Sequence, residues 1–298
     1  MNAVKPFTIR WTVDKRCDGI MLREFLRNEK HISKKALAQI KFAGGFLFVN
    51  GKEVTVRKVL SAGDEVMVVF PPEQPSASVK KENLPLDFVY EDDHFLVVNK
   101  SANMPTIPSI DHPDKTLANA VLYYFEKKGI ASTFHAVNRL DKDTSGLLLI
   151  AKHRYAHDLM AEQQKMGNVN REYIAIVHGR MKGEKGTIDL PIGRKENSLI
   201  ERTVRSDGQK AVTHFAVLSR HENRTVVKVK LETGRTHQIR VHFASIGHPL
   251  LGDDLYGGKR DEIGRQALHS FRLTFYHPFL EKELAFVKDV PEDMKPLM

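Results

Sequence analysis

Two kinds of hydrophobic periodicity run along this 298-residue chain. Apolar residues spaced three and four apart predict amphipathic helices, and short Val- and Ile-rich runs between turn residues predict strands. The predicted helices cover residues 21–27, 33–43, 116–128 and 155–166. The predicted strands cover residues 65–70, 147–151, 171–179, 212–218 and 225–231, with further strand pairs within 46–54 and 85–100. Many strands and few helices indicate an α+β fold, with a mostly antiparallel, mixed sheet crossed by a central cleft.

The chain divides at a segment that is poor in residues able to pack. Residues 71–84 are rich in Pro, Ser and charge, which predicts a linker. Residues 1–70 are expected to form a small α/β module and residues 85–298 one larger domain. In the module, Ser33 is expected to cap the second helix, and Asn50-Gly51 to form a tight hairpin turn.

Positive charge is concentrated in the N-terminal quarter. The formal net charge is +9, of which residues 1–81 contribute +7, from 15 Lys and Arg against 8 Asp and Glu. Lys34, Lys35 and Lys41 lie on the second predicted helix, and Lys52 lies in the hairpin. The pattern favours a polyanionic partner, although a solvated charged face would have the same composition.

Several classes of protein are excluded by composition. No apolar run approaches the about 18 residues of a membrane-spanning helix, and the first residues lack the apolar core of a signal peptide. A single cysteine, Cys17, excludes an internal disulfide and a Cys-based zinc cluster. We expect a cytoplasmic protein that does not associate with membranes, with a monomer as the default.

The most informative segment, residues 135–150, places charged and hydroxyl residues directly before an apolar strand. Arg139 and Asp141 flank Leu140, so in an extended chain the two ionic side chains point to one side and Leu140 to the other. A carboxylate beside an arginine has a lowered pKa and stays ionised, fit to be a nucleophile or a base. An isolated Arg-x-Asp more often marks a structural ion pair, and both interpretations stay open on these residues alone.

A second cluster, residues 231–242, contains two arginines and two histidines. A metal site is not expected, because His237 and His242 do not share a helix face and the Glu of an H-E-x-x-H site is absent. A Gly-Arg turn that leads into a strand fits better, with Ile239 and Val241 on one face.

Both segments resemble signatures of the RluA-type pseudouridine synthases. The usual form of the first is His-Arg-Leu-Asp, two variable residues and Thr-Ser-Gly-Leu, and this chain has Asn138 in place of the first His. Residues 234–242 are similar to the motif Gly-Arg-Thr-His-Gln-Ile-Arg-Val-His. Residues 1–70 resemble an S4 domain, a small module that binds structured RNA with a basic helix face.

The resemblance implies the pseudouridine synthase fold and the isomerisation of uridine to pseudouridine in RNA, without metal or redox cofactor. It implies that Asp141 is the catalytic carboxylate, that Arg235 is the cation paired with it, and that Tyr173 packs on the target base. Arg139 would enter the space left by the flipped uridine, and Ile239 would line the base pocket. The residues expected to bind RNA are Arg139, Lys34, Lys35, Lys41 and Lys52. Large-subunit ribosomal RNA is the expected partner, with tRNA as the alternative and no DNA.

Two other classes of function stay open at this stage. The chain could be an RNA-binding or ribosome-assembly protein with an idle site, although intact Asp141, Tyr173 and Arg235 count against this. It could also be a hydrolase that uses Ser145 with a histidine and Asp141. No G-x-S-x-G elbow surrounds Ser145, which disfavours the hydrolase.

Overall fold

The computed structural model describes residues 6–73 and 79–298. The N-terminal part is a four-stranded antiparallel sheet, in the order β1-β4-β2-β3, covered by two helices. A π-helical turn, Phe25–Glu29, extends the first helix. The elements are β1 (Thr8–Thr12), α1 (Leu22–Glu24), α2 (Lys34–Phe42), β2 (Phe46–Val49), β3 (Lys52–Glu53) and β4 (Glu65–Val69).

Local sequence signals in this part behave as predicted. The Ser33 hydroxyl accepts a hydrogen bond from the Ala36 N–H and caps α2. Asn50 and Gly51 both have positive φ, 51° and 74°, as a tight hairpin turn between β2 and β3 requires. The predicted helix and hairpin are therefore confirmed.

The larger part is built on one ten-stranded sheet. Its main path runs β10-β13-β14-β9-β15-β8-β6-β5, while β16 pairs with β15 and β7 with β8. Among the described strands of this sheet, the pairing of β15 with β8 is parallel and the others are antiparallel. The expected α+β fold with a mostly antiparallel, mixed sheet is therefore confirmed. The strands are β5 (Asp87–Glu91), β6 (Phe95–Lys100), β7 (His135–Ala136), β8 (Ser145–Ala151), β9 (Val169–His178), β10 (Lys185–Asp189), β11 (Ile192–Arg194), β12 (Arg202–Val204), β13 (Val212–Arg220), β14 (Arg224–Leu231), β15 (Leu268–His277) and β16 (Lys282–Val287), with β11 and β12 forming a separate hairpin.

Three helices complete this part: α3 (Leu117–Lys128), α4 (Arg154–Lys165) and α5 (Gln238–Ser245). Strand β8 lies between two apolar clusters. Leu148 and Ile150 pack in the cluster that includes α3, while Leu147 and Leu149 pack in the cluster that includes α4. Both faces of β8 are thus buried, which explains why its sequence is a continuous apolar run rather than an alternation.

One predicted element is wrong. Residues 238–245 form helix α5, not a strand. Ile239 and Phe243, four residues apart, pack in the same core cluster, whereas Val241 packs in another. The helical spacing of Ile239 and Phe243 therefore outweighs the alternation of Ile239 and Val241.

The N-terminal part is packed against the start of α4. The Tyr155 hydroxyl donates to the carbonyl oxygen of Lys30 at 2.6 Å, and the Tyr155 ring stacks on Phe70. Phe7 stacks on His153 with ring centroids 3.6 Å apart. The described residues of the predicted linker, 71–73 and 79–84, contain no helix or strand. Residues 74–78 lie outside the described residues. No helix in the described parts of the chain is long and apolar enough to cross a membrane.

We expect Gly146→Ala to destabilise the protein. Gly146 has φ +113°, and a β-carbon there would lie 2.3 Å from the carbonyl oxygen of Ser270, where β8 meets β15. Because both backbone strain and a backbone clash oppose the methyl group, the free energy of unfolding should fall by at least about 2 kcal/mol.

Denaturant titration of Gly146→Ala beside Gly247→Ala tests this expectation. Gly247 also has positive φ, +82°, but a β-carbon there meets nothing within 4 Å. Its loss should be only about 1 kcal/mol. Equal losses in the two variants would show that the close approach to Ser270 is unimportant.

Candidate active site

A cavity of about 660 Å³ opens where four parts of the large domain meet. Its walls come from the loop at 105–109, the turn at 136–144, strand β9 and the segment 231–240. Asp141, Tyr173, Arg235, Ile239 and Arg139 all line it. The structure therefore brings together the residues that the family resemblance nominated for catalysis, for the base pocket and for the space left by the flipped uridine.

A buried side chain and several hydrogen bonds to backbone fix the turn that carries Asp141. Leu140 is buried while Arg139 is exposed and Asp141 is half-buried, so the expected alternation holds. The Thr144 N–H donates to the Asp141 carbonyl oxygen and closes the turn. Lys100, 1% exposed, donates from Nζ to the carbonyl oxygens of Ser101, Met104 and Lys142 at 2.7–3.0 Å. These bonds join the end of β6 to the turn.

Burial lowers the pKa of the Lys100 ammonium to about 7, although the charges of Asp141 and Asp143 act in the other direction. Three carbonyl acceptors satisfy all three N–H donors of the ammonium. Lys100 thus holds backbone in place rather than contributing a side chain to the cavity.

The cation paired with Asp141 is Arg240, not Arg235. Arg240 donates from Nη1 to Asp141 Oδ2 at 3.1 Å. Its Nε and Nη2 donate to the two oxygens of Asp253, both at 2.7 Å. Burial alone would lower the pKa of Arg240, but the hydrogen bonds and charges of Asp253 and Asp141 raise it above its ordinary range. A charged, fixed guanidinium therefore faces Asp141.

The expected pairing of Arg235 with Asp141 was wrong because α5 is a helix. Arg235 lies in the exposed turn before α5 and donates from Nε to the carbonyl oxygen of Lys210 at 2.9 Å. Arg240 lies on the buried side of α5, where it reaches both carboxylates. Both arginines belong to the same motif, and the choice between them depends on the helical backbone.

His237 was missed as a candidate site residue. It lines the cavity at the N-terminus of α5 with φ +56°, and its Nε2 lies 3.9 Å from Asp141 Oδ2. Its Nδ1 lies 2.8 Å from the hydroxyl of Tyr256, which accepts from the Arg202 N–H. A Tyr256 O–H that donates to Nδ1 would leave the ring proton on Nε2, which faces Asp141. Burial lowers the pKa of His237, which favours this neutral form.

Tyr173 and Ile239 form apolar walls of the cavity, and each is 4% exposed. Burial raises the pKa of the Tyr173 hydroxyl, so it is protonated at neutral pH. A flat ring beside an aliphatic side chain is suited to contact with a nucleobase.

Two further residues of the first motif have structural contacts. Asn138 is buried, and its Oδ1 accepts from the Leu149 N–H at 2.9 Å. Ser145 is also buried, outside the cavity lining, with Oγ 2.9 Å from His269 Nδ1. The hydroxyl of Ser145 is therefore not presented to the cavity.

The lysines predicted to bind RNA lie on the N-terminal part. Lys34, Lys35 and Lys41 are exposed on α2, and Lys52 is exposed on β3. They do not line the cavity. Within residues 6–73 and 79–298, no group of three or more His, Cys, Asp or Glu side chains is arranged to hold a metal ion.

Comparisons with known proteins agree with this geometry. A family model described as RNA pseudouridylate synthase matches residues 94–245. The chain is 52% identical over 270 residues to the uncharacterized RNA pseudouridine synthase YjbO of Bacillus subtilis, which covers 91% of this chain and 95% of that protein. It is 38% identical over 267 residues to ribosomal large subunit pseudouridine synthase D of Vibrio vulnificus, with coverage of 85% and 82%.

A solved structure is also similar. The human RNA pseudouridylate synthase domain containing 1 superposes with a TM-score of 0.57 at 28% identity, covering 72% of this chain and 86% of that one. The chain therefore belongs to the RluA-type family of RNA pseudouridine synthases.

Proposed function

We propose that this enzyme isomerises specific uridines in large-subunit ribosomal RNA and that Asp141 is its catalytic carboxylate. The observation that supports this most directly is the Asp141 carboxylate in the cavity, held at 3.1 Å by Arg240. A relative named for the large ribosomal subunit supports the choice of RNA.

The reaction needs a carboxylate beside the sugar and the base. The N1–C1′ bond breaks, the uracil turns, and a C5–C1′ bond forms as the hydrogen on C5 leaves. Asp141 could attack C1′, add to the base or remove a ribose proton, and each route begins from the ionised carboxylate. Arg240 donates to this carboxylate from Nη1, while Asp253 accepts from Nε and Nη2.

The target uridine must leave its stack to reach the cavity, at a cost of a few kcal/mol when it is paired. Arg139, which is exposed and lines the cavity, would occupy the space left in the RNA. The Tyr173 ring and Ile239 would contact the flipped base, and His237 Nε2–H would donate to a polar atom near Asp141.

The N-terminal part is proposed to act as an S4-like RNA-binding domain within residues 1–70. The three exposed lysines of α2 form a basic face, and Lys52 lies on the neighbouring hairpin. Packing of Tyr155 against Lys30 and Phe70 joins this part to the catalytic domain. RNA bound to the basic face would therefore be held next to the catalytic domain, which contains the cavity.

The rival interpretations have less support. An idle RNA-binding protein would not need the network that orients Asp141 through Arg240 and Asp253. A hydrolase would need a nucleophile that faces a substrate, whereas Ser145 is 4% exposed and lies outside the cavity lining.

We expect Asp141→Asn to abolish tritium release from RNA that carries 5-tritiated uridine. The amide keeps the shape of the carboxylate but cannot act as nucleophile or base, so the rate should fall more than about a hundredfold. Large-subunit ribosomal RNA transcripts are the first substrate, followed by tRNA transcripts.

The matched control is Asp143→Asn. Asp143 lies in the same turn but does not line the cavity. It should retain most of the activity. Loss of activity in both variants to the same degree, or in neither, would contradict the assignment of Asp141.

We expect Tyr173→Phe to lower kcat with little change in RNA binding, because the ring remains and only the hydroxyl is lost. A hydroxyl contact that forms with the reacting nucleotide should contribute roughly 5- to 100-fold to the rate. Single-turnover tritium release and filter binding measure the two effects separately. Tyr276→Phe, at an exposed position of β15, is the control. Full activity in Tyr173→Phe would restrict the role of Tyr173 to its ring.

We expect the double variant Lys34→Gln/Lys35→Gln to bind RNA more weakly and with a shallower salt dependence. Each lost phosphate contact should reduce the slope of log K against log salt by about 0.9. Binding is measured on the Asp141→Asn background, so that the RNA is not turned over. Lys127→Gln/Lys128→Gln removes the same charge from exposed positions on α3 and should leave the slope unchanged. Equal slopes in the two double variants would remove α2 from the RNA interface.

A further inference from the structure

Arg171 lies beside Tyr173 in the wall of the cavity. The two residues are separated by one position on β9, so their side chains leave the same face of the strand. Both line the cavity. Neither sequence motif contains Arg171. It lies two residues before Tyr173 in the strand predicted for residues 171–179.

The Arg171 guanidinium has no acceptor among the residues that the structure describes. Its Nε is buried without a hydrogen-bond partner. The guanidinium forms no ion pair with a described carboxylate either, in contrast to Arg240, which binds two. An arginine has five N–H donors and stays charged, so leaving it partly buried and unpaired is unfavourable.

Packing, rather than an acceptor, holds this guanidinium in place. It lies against Gly234, where a β-carbon would come within 3.2 Å of Nη1 and 3.4 Å of Nη2. The absence of a side chain at position 234 therefore makes room for the arginine. Gly234 belongs to the turn that leads to His237 and Arg240, so Arg171 is placed beside the residues that surround Asp141.

We propose that Arg171 binds a backbone phosphate of the flipped target nucleotide, and this inference rests on the proposed function. Each nucleotide that enters the cavity brings a phosphate on either side of its ribose. With Asp141 near the sugar and Tyr173 near the base, a phosphate is the anion that can reach Arg171. The planar guanidinium donates two parallel hydrogen bonds to phosphate oxygens.

The test compares Arg171→Gln and Arg171→Lys with the unmodified enzyme on pooled ribosomal and transfer RNA transcripts carrying 5-tritiated uridine. At subsaturating RNA, Arg171→Gln should lower kcat/KM roughly 10- to 100-fold, as expected for a charge-assisted hydrogen bond. The slope of log kcat/KM against log salt should become shallower by about 0.7 to 0.9. Arg171→Lys keeps the charge and should restore the slope.

Thermal unfolding separates binding from a structural role. Removal of an unpaired cation should leave the unfolding temperature of Arg171→Gln unchanged or higher, since neither a hydrogen bond nor an ion pair to a described residue is lost. Arg272→Gln removes an exposed arginine from β15 and should change neither the slope nor the rate. A lower unfolding temperature with an unchanged slope would overturn the proposal in favour of a structural role. A lower rate with an unchanged slope would overturn it in favour of a neutral acceptor, such as a uracil carbonyl.

Two separate measurements test the proposed function and the role of Arg171. Absence of tritium release by the unmodified enzyme from either RNA would count against the proposed function. Filter binding of the same RNA still tests Arg171, because its phosphate contact would appear in the salt slope without turnover.

Discussion

The buried pair of Arg240 and Asp253 is the interaction on which the site depends. The Asp253 side chain is fully buried, and Arg240 is 8% exposed at its side chain. Two parallel N–H···O bonds from Nε and Nη2 fix the plane of the guanidinium, and Nη1 in that plane donates to Asp141. Loss of Arg240 would leave the buried Asp253 carboxylate without its cation, which typically costs about 3–5 kcal/mol. The orientation of the Asp141 carboxylate is therefore set by a buried pair in which Arg240 lines the cavity and Asp253 lies outside its lining.

Backbone contacts of the sheet determine the position of Asp141. Strand β8 is buried on both faces and meets β15 in parallel at Ser145 and Gly146, just after the Asp141 turn. Gly146 allows the two backbones to approach where a β-carbon would collide. Lys100, at the end of the neighbouring β6, binds the turn through the Lys142 carbonyl oxygen. The position of Asp141 thus follows from backbone contacts on both sides, and that of Arg240 from a separate side-chain pair.

Much of this arrangement could be predicted from the sequence. Ser33, Asn50-Gly51 and the apolar run of β8 gave correct local structure because caps, tight turns and doubly buried strands depend on a few adjacent residues. Arg235 could not be distinguished from Arg240, because the choice depends on whether Ile239 pairs with Val241 in a strand or with Phe243 in a helix. The partner of Arg240, Asp253, lies 13 residues away along the chain, and no local periodicity connects them.

The arginines of the cavity differ in what occupies their donors, and this difference separates structural from binding roles. Arg240 binds two carboxylates, and Arg235 donates from Nε to a backbone carbonyl oxygen. Arg171 is held by packing against Gly234 with no acceptor of its own among the described residues. A sequence selected only for stability would replace such a residue, because an unpaired cation in a partly buried wall lowers the stability of the folded state. Its presence next to Tyr173 is explained if the missing acceptor arrives with the RNA.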